Sequence, residues 1–332
     1  MRALGYSEEV ITERILHQTH ETILEVNLSA LVDNVRYFRS LMPSSTRLTC
    51  MVKAFAYGAG SVDVSQALQQ SNLVDYLAVA VADEGSELRK AGITNSIIIM
   101  NPEMTAFKTL FDYKLEPEVY NFHLLNELVK AAEKEGVTNF PIHIKLDTGM
   151  HRLGFMTEEI SELADFLKDC KAVKVKSIYS HLAASDDPSH DEFTLGQIGL
   201  FQTNADKLTE VLGYKPLYHI LNSAGIERFP QYQFDMVRLG IGIYGVSAIP
   251  GNELHPVASF KCKVLQVKRL QPSDGTIGYG RHGKIAPEGT MIATIPVGYA
   301  DGVDRHLSRG KGCFTINGHK VPTIGNICMD MC

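Results

Sequence analysis

The lysine that ends LTCMVKA, Lys53, is where chemistry first suggests itself in this chain. It closes an apolar run, and a lysine is seldom enclosed without a partner. Enclosure favours the neutral amine, which is the form that makes a Schiff base. The plain alternative is a side chain that follows the strand and carries its ammonium out to water. Four residues on stands Tyr57, in AYGAG. A phenol there could reach an anion that Lys53 also approaches, and Gly58 and Gly60 permit a tight turn.

Further along, HIKLDTGMHRLGF (His143 to Phe155) puts Lys145 and Asp147 at a strand end, followed by a glycine turn and Arg152. By itself this is compatible with a surface Lys145–Asp147 pair of little worth. IYSHLAASDD ends a strand on His181, and a lone histidine is more often structural than functional. LNSAG sets Asn222 and Ser223 where a strand passes into a helix, a good place to bind phosphate and equally an ordinary cap. In MVRLGIGIYG, Arg238 lies among apolar residues and needs a buried partner. Gly240 and Ile241 come just after it and could give backbone N–H groups to phosphate. Tyr279, in TIGYGRHGK, has no role fixed by spacing alone. Cys328 and Cys332 lack the further His or Cys pair of a four-ligand metal site, so no metal is expected.

Elements must hold these residues in place. SALVDNVRYFRSLM (Ser29 to Met42) has helical periodicity, with Ser29 as a cap. From LTCMVKA onward, apolar runs alternate with amphipathic stretches. The runs are YLAVAVAD, SIIIMNPE, EPEVY, PIHIKLDTG, VKSIYSHLA, LYHILNSAG and FDMVRLGIG. Their near-continuous Val and Ile content fits parallel strands covered on both sides. Eight such units, ending near residue 239, predict a (β/α)8 TIM-type barrel. Many of these polar residues then fall at strand C-terminal ends, the rim where barrel active sites lie. A doubly wound sheet is the runner-up, but no G-x-G-x-x-G comes after the first strand. After Gly245 the pattern becomes strand-like and turn-separated, which predicts a smaller, mostly β second domain. The expected division is an N-terminal segment over 1–21, the barrel over 22–247 and the β domain over 248–332, with 22–27 able to pair into the β domain.

Composition narrows the classes. The 332 residues are 45% hydrophobic, enough for a large core, and a net charge of −6 without like-charge blocks disfavours nucleic acid and membrane surfaces as partners. No apolar run is long enough to span a bilayer, and the first twenty residues lack the apolar core of a signal peptide. Six scattered cysteines read as free thiols of a cytoplasmic protein.

MVKAFAYGAG resembles the pyridoxal-phosphate lysine motif of the alanine racemases, which usually has Asn where Phe55 stands and His where Ala59 stands. HIKLDTGMHRLGF, MVRLGIGIYG, TIGYGRHGK, IPVGYADGVDR and GNICMDM are similar to further segments of that family, in the same order, over residues 22 to 332. The resemblance implies pyridoxal 5′-phosphate on Lys53, held also by Tyr57, His181, Asn222, Ser223, Arg238, Gly240 and Ile241. Arg238 would donate to the pyridine nitrogen. An arginine keeps its proton, so that nitrogen stays neutral and a long-lived carbanion, with its side reactions, is disfavoured. Lys145 would carry a carbamate, its charge turned negative, and orient Arg152 toward the cofactor phenolic oxygen and the substrate carboxylate. Lys53 and Tyr279 would be the two bases, one for each face of the substrate α-carbon. A phenol works as a base near neutrality only if cations stabilise its anion, a task for His181 and Arg238. Tyr299 would line the substrate entrance, and Met329 would offer backbone to the substrate carboxylate with Asp330 in support.

Lys53 and Tyr279 fall in different domains, so the family's shared site implies a head-to-tail homodimer. The expected activity is racemisation of alanine, supplying D-alanine for peptidoglycan. Family members normally continue past the segment matching CMDM, so the β domain is expected to be shortened. Residues 1–21 also resemble the joint of fusions in which a Mur-ligase domain precedes the racemase. One rival is a racemase of serine or of broad specificity, since a methylene in a pocket discriminates by only ~1–3 kcal/mol. Others are a barrel that binds the cofactor without turnover and a fragment without catalysis.

Overall fold

The computed structural model describes residues 21–332. The readings that fall on residues 1–20 — the leading segment, its lack of a signal peptide, the fusion joint — lie outside the described residues. The chain divides into two compact units, Val26–Val257 and Ala258–Cys332, the latter joined by the described residues before Val26.

The strands are β1 (Thr22–Val26), β2 (Arg47–Met51), β3 (Tyr76–Val79), β4 (Ser96–Ile99), β5 (Glu116–Val119), β6 (Phe140–Lys145), β7 (Val173–Tyr179), β8 (Leu217–His219) and β9 (Met236–Leu239) in the first part of the chain. The helices are α1 (Leu28–Ser40), α2 (Ser61–Ser71), α3 (Ala82–Lys90), α4 (Phe107–Asp112), α5 (Phe122–Lys134), α6 (Ile160–Lys168), α7 (Asp191–Leu212) and α8 (Ser223–Arg228).

Strands β2 to β9 form one eight-stranded sheet in the order β8-β7-β6-β5-β4-β3-β2-β9, every pair in it parallel. The seam between β8 and β9 is bridged outside the ladder, by Arg238 N–H to Leu221 C=O at 3.0 Å and Asp235 N–H to Tyr218 C=O at 3.1 Å. The (β/α)8 barrel read from the apolar runs is therefore present. Helix α1 covers the point of closure. Its buried Asn34 donates to the carbonyls of Ile243 (3.0 Å) and His255 (2.9 Å) and accepts from the His255 N–H at 2.8 Å. The cap of α1 is Asn27, not Ser29: Asn27 Oδ1 accepts from the Ala30 N–H at 2.9 Å, and Ser29 lies within the first turn.

Side chains alternate across a strand, so every second residue points into the barrel. On one side of the lumen these are Met51, Tyr76, Ala78, Ile98 and Met236, an apolar cluster. On the other they are polar and buried: Glu116, Glu118, His143, Lys145, Ser177, Tyr179, His219 and Arg238.

Among the described residues the second unit is built of four two-stranded sheets. β1 pairs with β10 (Ala258–Cys262), so the early run ETILEVN belongs with the β unit as far as Glu25. β11 (Gln266–Leu270) pairs with β14 (Thr290–Thr294), β12 (Thr276–Ile277) with β13 (Gly283–Lys284), and β15 (Cys313–Ile316) with β16 (His319–Pro322). All six cysteines are free thiols. Among the described residues no helix is long and apolar enough to cross a membrane.

Candidate active site

Lys53 stands half-buried just past the end of β2. It leads into a left-handed turn, in which Ala54, Phe55, Ala56 and Tyr57 have φ of 53°, 55°, 51° and 56°. Non-glycine residues rarely enter this region, and a run of four is strained. A carboxylate holds the turn. Glu84, on α3, accepts from the Ala54 N–H and the Ala80 N–H, both at 2.7 Å, tying the turn to the end of β3. At the far end the Tyr57 ring lies 4.5 Å from that of Tyr244, whose hydroxyl donates to the Met51 carbonyl at 3.0 Å.

The Tyr57 hydroxyl ends beside Gly240. A Cβ at that position would sit 3.1 Å from the Tyr57 oxygen, a tight contact that glycine avoids. Burial pushes the Tyr57 phenol up, so it remains a proton donor. Ser223 Oγ lies on the same edge and accepts from the N–H groups of Gly240 (2.9 Å) and Gly242 (3.1 Å). Two hydroxyls on one edge, with Ile241 exposed beside them, suit a phosphate group, and in that respect the residues fit pyridoxal phosphate. Two details depart from the sequence reading. The Gly240 N–H is already engaged by Ser223, so an anion would be held through the hydroxyl. Asn222 acts as the ordinary cap: it accepts from the Gly225 N–H at 2.9 Å and from the Ser185 hydroxyl at 2.7 Å, and α8 is only six residues long.

Lys145 is not on the surface and does not meet Asp147. It is buried, and its ammonium donates to Glu118 Oε1 at 3.1 Å. The Tyr179 hydroxyl donates to the other oxygen of Glu118. Burial pushes the Glu118 carboxyl up and the Lys145 amine down, and each group opposes the shift of the other. Losing either partner would strand a buried charge, at a cost of about 3–5 kcal/mol. A carbamate on Lys145, the state implied by the resemblance, would set a second anion against Glu118 unless that carboxyl took up a proton, the direction in which burial pushes it. Asp147 instead accepts from the N–H groups of Gly149 and His151, both at 3.0 Å. The loop it organises folds back through Asp147 N–H to Phe155 C=O and Phe155 N–H to Lys145 C=O, both 2.9 Å. Gly154 makes this possible, since a Cβ there would come within 2.5 Å of the Asp147 nitrogen. Arg152 is carried exposed on that loop, close enough for its charge to act on Lys145, Tyr179 and His181.

Arg238 has the buried partners its setting requires. It donates to His219 Nδ1 at 2.7 Å, to the Ser180 carbonyl at 2.7 Å and to His181 Nδ1 at 3.2 Å, and it lies 4.8 Å from the centre of the Tyr179 ring. Burial and the charges of Arg238, Lys145, Arg152 and Lys53 push His181 down to about 3. His181 is therefore neutral near pH 7. Of the two cations expected to steady a nearby phenolate, only Arg238 remains.

In the β unit, Tyr279 projects outward, 74% exposed, from a turn whose carbonyl accepts from Asn326 Nδ2 at 3.0 Å. Tyr299 and Met329 are brought together. The Tyr299 N–H donates to the Cys328 carbonyl at 3.0 Å and the Ala300 N–H to the Met329 carbonyl at 2.9 Å, leaving both side chains exposed. Asp330 is exposed beside them.

Sequence reasoning missed Glu84, Glu118, Tyr179, His219 and the chain His143–Ser177. The available signal was alternation: Glu116 and Glu118, His143 and Lys145, and Ser177 and Tyr179 are polar pairs two apart in otherwise buried strands.

A parallel barrel with an amine, a guanidinium and hydroxyl donors toward its rim, joined to a β unit bearing an exposed phenol, defines the class as a two-domain barrel protein. Comparison with known proteins gives the family. Residues 26–248 match the alanine racemase N-terminal domain and residues 257–332 the alanine racemase C-terminal domain. An alanine racemase of Cutibacterium acnes is 39% identical over 312 residues, which is 92% of this chain and 81% of that one. The solved alanine racemase of Clostridium difficile superposes with a TM-score of 0.86 at 32% identity, covering 94% of this chain and 82% of its own. That of Bartonella henselae, described with covalently bound pyridoxal phosphate, gives a TM-score of 0.84 at 28% identity, covering 94% and 85%. The chain belongs to the alanine racemase family.

Proposed function

We propose that this chain interconverts L- and D-alanine with pyridoxal 5′-phosphate, in the cytoplasm, and so supplies D-alanine for peptidoglycan. The observation that carries the reading is the match of both alanine racemase domains along one chain, with Lys53 half-buried at the barrel rim. Lys53 would hold the cofactor covalently. Tyr57 and Ser223 would take its phosphate, with the backbone of Gly240 and Ile241 alongside and Asn222 supporting through its cap. His181, being neutral, would pack on the ring as an uncharged surface. Arg238 would donate to the ring nitrogen. When bound, the cofactor supplies an electron sink that makes the α-proton of an amino acid removable.

The residues of the chain do the proton work. Lys53 would take or give a proton on one face of the substrate α-carbon and Tyr279 on the other. Arg152 suits a carboxylate, because a planar fork of donors matches its two oxygens. Tyr299 and Met329 would border the substrate. Tyr279 would come from a second copy of the chain in a head-to-tail homodimer, with the β unit of each serving the barrel of the other.

An absorbance spectrum with a D-amino-acid-oxidase-coupled assay tests the reading. Purified protein should show the yellow absorbance of lysine-bound cofactor and produce D-alanine from L-alanine, and Lys53→Ala should lose both. Covalently held cofactor in Lys53→Ala, or faster turnover of L-serine than of L-alanine, would overturn it.

A further inference from the structure

A line of four hydrogen bonds crosses the barrel interior from Arg238 to Glu116. Arg238 reaches His219 Nδ1 at 2.7 Å, and His219 Nε2 lies 2.8 Å from Ser177 Oγ. Ser177 Oγ lies 2.6 Å from His143 Nδ1, and His143 Nε2 lies 2.9 Å from Glu116 Oε2. All five side chains are buried, with exposures of 3% for Arg238, 1% for His219, 0% for Ser177 and His143, and 8% for Glu116.

The two ends of this line are fixed by chemistry. A guanidinium only donates and a carboxylate only accepts. His219 Nδ1 must therefore be the bare nitrogen, and its proton sits on Nε2 and points to Ser177. With His143 as a neutral ring whose proton sits on Nε2, toward Glu116, the Ser177 hydroxyl donates to His143 Nδ1. Every proton along the line points the same way. Burial, with the charge of Arg238 alongside, holds His219 well down, so its ring is neutral as this pattern requires. Tyr179 stacks on His219 at 4.7 Å with the planes 5° apart, which holds the ring in place.

We infer that Glu116 is a positioning residue for Arg238, acting through a one-way relay of His143, Ser177 and His219. The carboxylate fixes the His143 tautomer, which fixes the direction of the Ser177 hydroxyl and then the His219 tautomer. The result is a bare nitrogen aimed at the guanidinium. Without Glu116 only Arg238 selects the His219 tautomer. In the fraction of molecules where the line then reverses, His219 presents an N–H to Arg238, donor meets donor, and the guanidinium loses a partner. The functional consequence rests on the proposed racemase function, in which the outward edge of Arg238 meets the cofactor.

Ring-15N histidine labelling of the full chain, with the cofactor removed and again with it bound, tests the relay directly. We expect both His143 and His219 to be neutral with the proton on Nε2. Glu116→Leu should shift His219 toward the Nδ1-protonated form, while Glu116→Gln, which keeps an acceptor, should not. Added to Ser177→Ala, Glu116→Leu should no longer move His219. Glu116→Leu should also release pyridoxal phosphate about tenfold more readily than Glu116→Gln, the size expected for one charge-assisted hydrogen bond. An Nδ1 proton on either ring of the unsubstituted protein overturns the relay, as does a His219 response that persists without the Ser177 hydroxyl. Should Arg238→Gln release the cofactor while Glu116→Leu retains it, the positioning role is overturned. Should Arg238→Gln itself retain the cofactor normally, it is the role proposed for Arg238 that fails, and the cofactor-free spectra still decide the relay.

Discussion

Lys145 and Glu118 face each other at 3.1 Å inside the barrel, with the Tyr179 hydroxyl on the same carboxylate. Adding carbon dioxide to an amine releases a proton and leaves a negative group. Here that would remove the only cation hydrogen-bonded to Glu118 among the described residues and put an anion in its place. Two like charges in contact away from water are strongly disfavoured. So long as Glu118 keeps its charge, we expect Lys145 to remain an ammonium. In protein equilibrated with 13C-bicarbonate, the NMR spectrum should show no carbamate carbon. A carbamate resonance that disappears in Lys145→Arg would contradict this.

Among the elements, the left-handed turn after β2 matters most, because it begins next to Lys53 and ends at Tyr57. Its four residues give up the preferred backbone region, and the contacts of Glu84 offset part of that cost. Glu84→Ala should lower stability by about 1–3 kcal/mol, the cost of leaving backbone donors without their acceptor. It should also weaken cofactor retention, while Glu84→Gln, which keeps one acceptor oxygen, should lie between. Urea titration and cofactor release rates measure both, and an unchanged Glu84→Ala on both counts would remove the turn from the account.

Two expectations concern the molecule as a whole. If each site draws Lys53 from one copy and Tyr279 from another, mixing inactive Lys53→Ala and Tyr279→Phe proteins should restore activity. Random reassortment into dimers gives one intact site in half of them, or about a quarter of the wild-type site density. No recovery after the subunits have been shown to exchange would exclude sites shared between chains. The second concerns acid. His181 titrates near 6.5 when unfolded and is held at about 3 when folded, so between those values the unfolded chain takes up a proton that the folded one does not. Stability is therefore complete above pH ~6.5 and falls with acidification by about 1.4 kcal/mol per pH unit for this group. His219, held well below its ordinary value, adds in the same direction. Urea midpoints between pH 7 and pH 5 should show the decline, and His181→Asn should make it shallower; a flat profile would mean that His181 is not buried as a neutral ring.

The sequence alone was enough for the barrel, for the change to a β unit and for the segments bearing Lys53, Tyr57, Lys145, Arg152, His181, Arg238 and Tyr279. These come from local patterns: apolar runs of strand length, amphipathic stretches between them, and short motifs that keep their residues a few positions apart. The boundary of α1 moved only from Ser29 to Asn27, because either side chain can cap and the chain entering from β1 decides which does. The partners were settled by tertiary structure. Lys145 faces Glu118 rather than Asp147, and Arg238 faces His219, because closing a cylinder brings together side chains from strands 19 to 27 residues apart in the chain. Spacing along a chain carries no record of such neighbours. The barrel interior, where polar groups must find one another or go unpaired, is where the charge states and proton positions of this protein were decided.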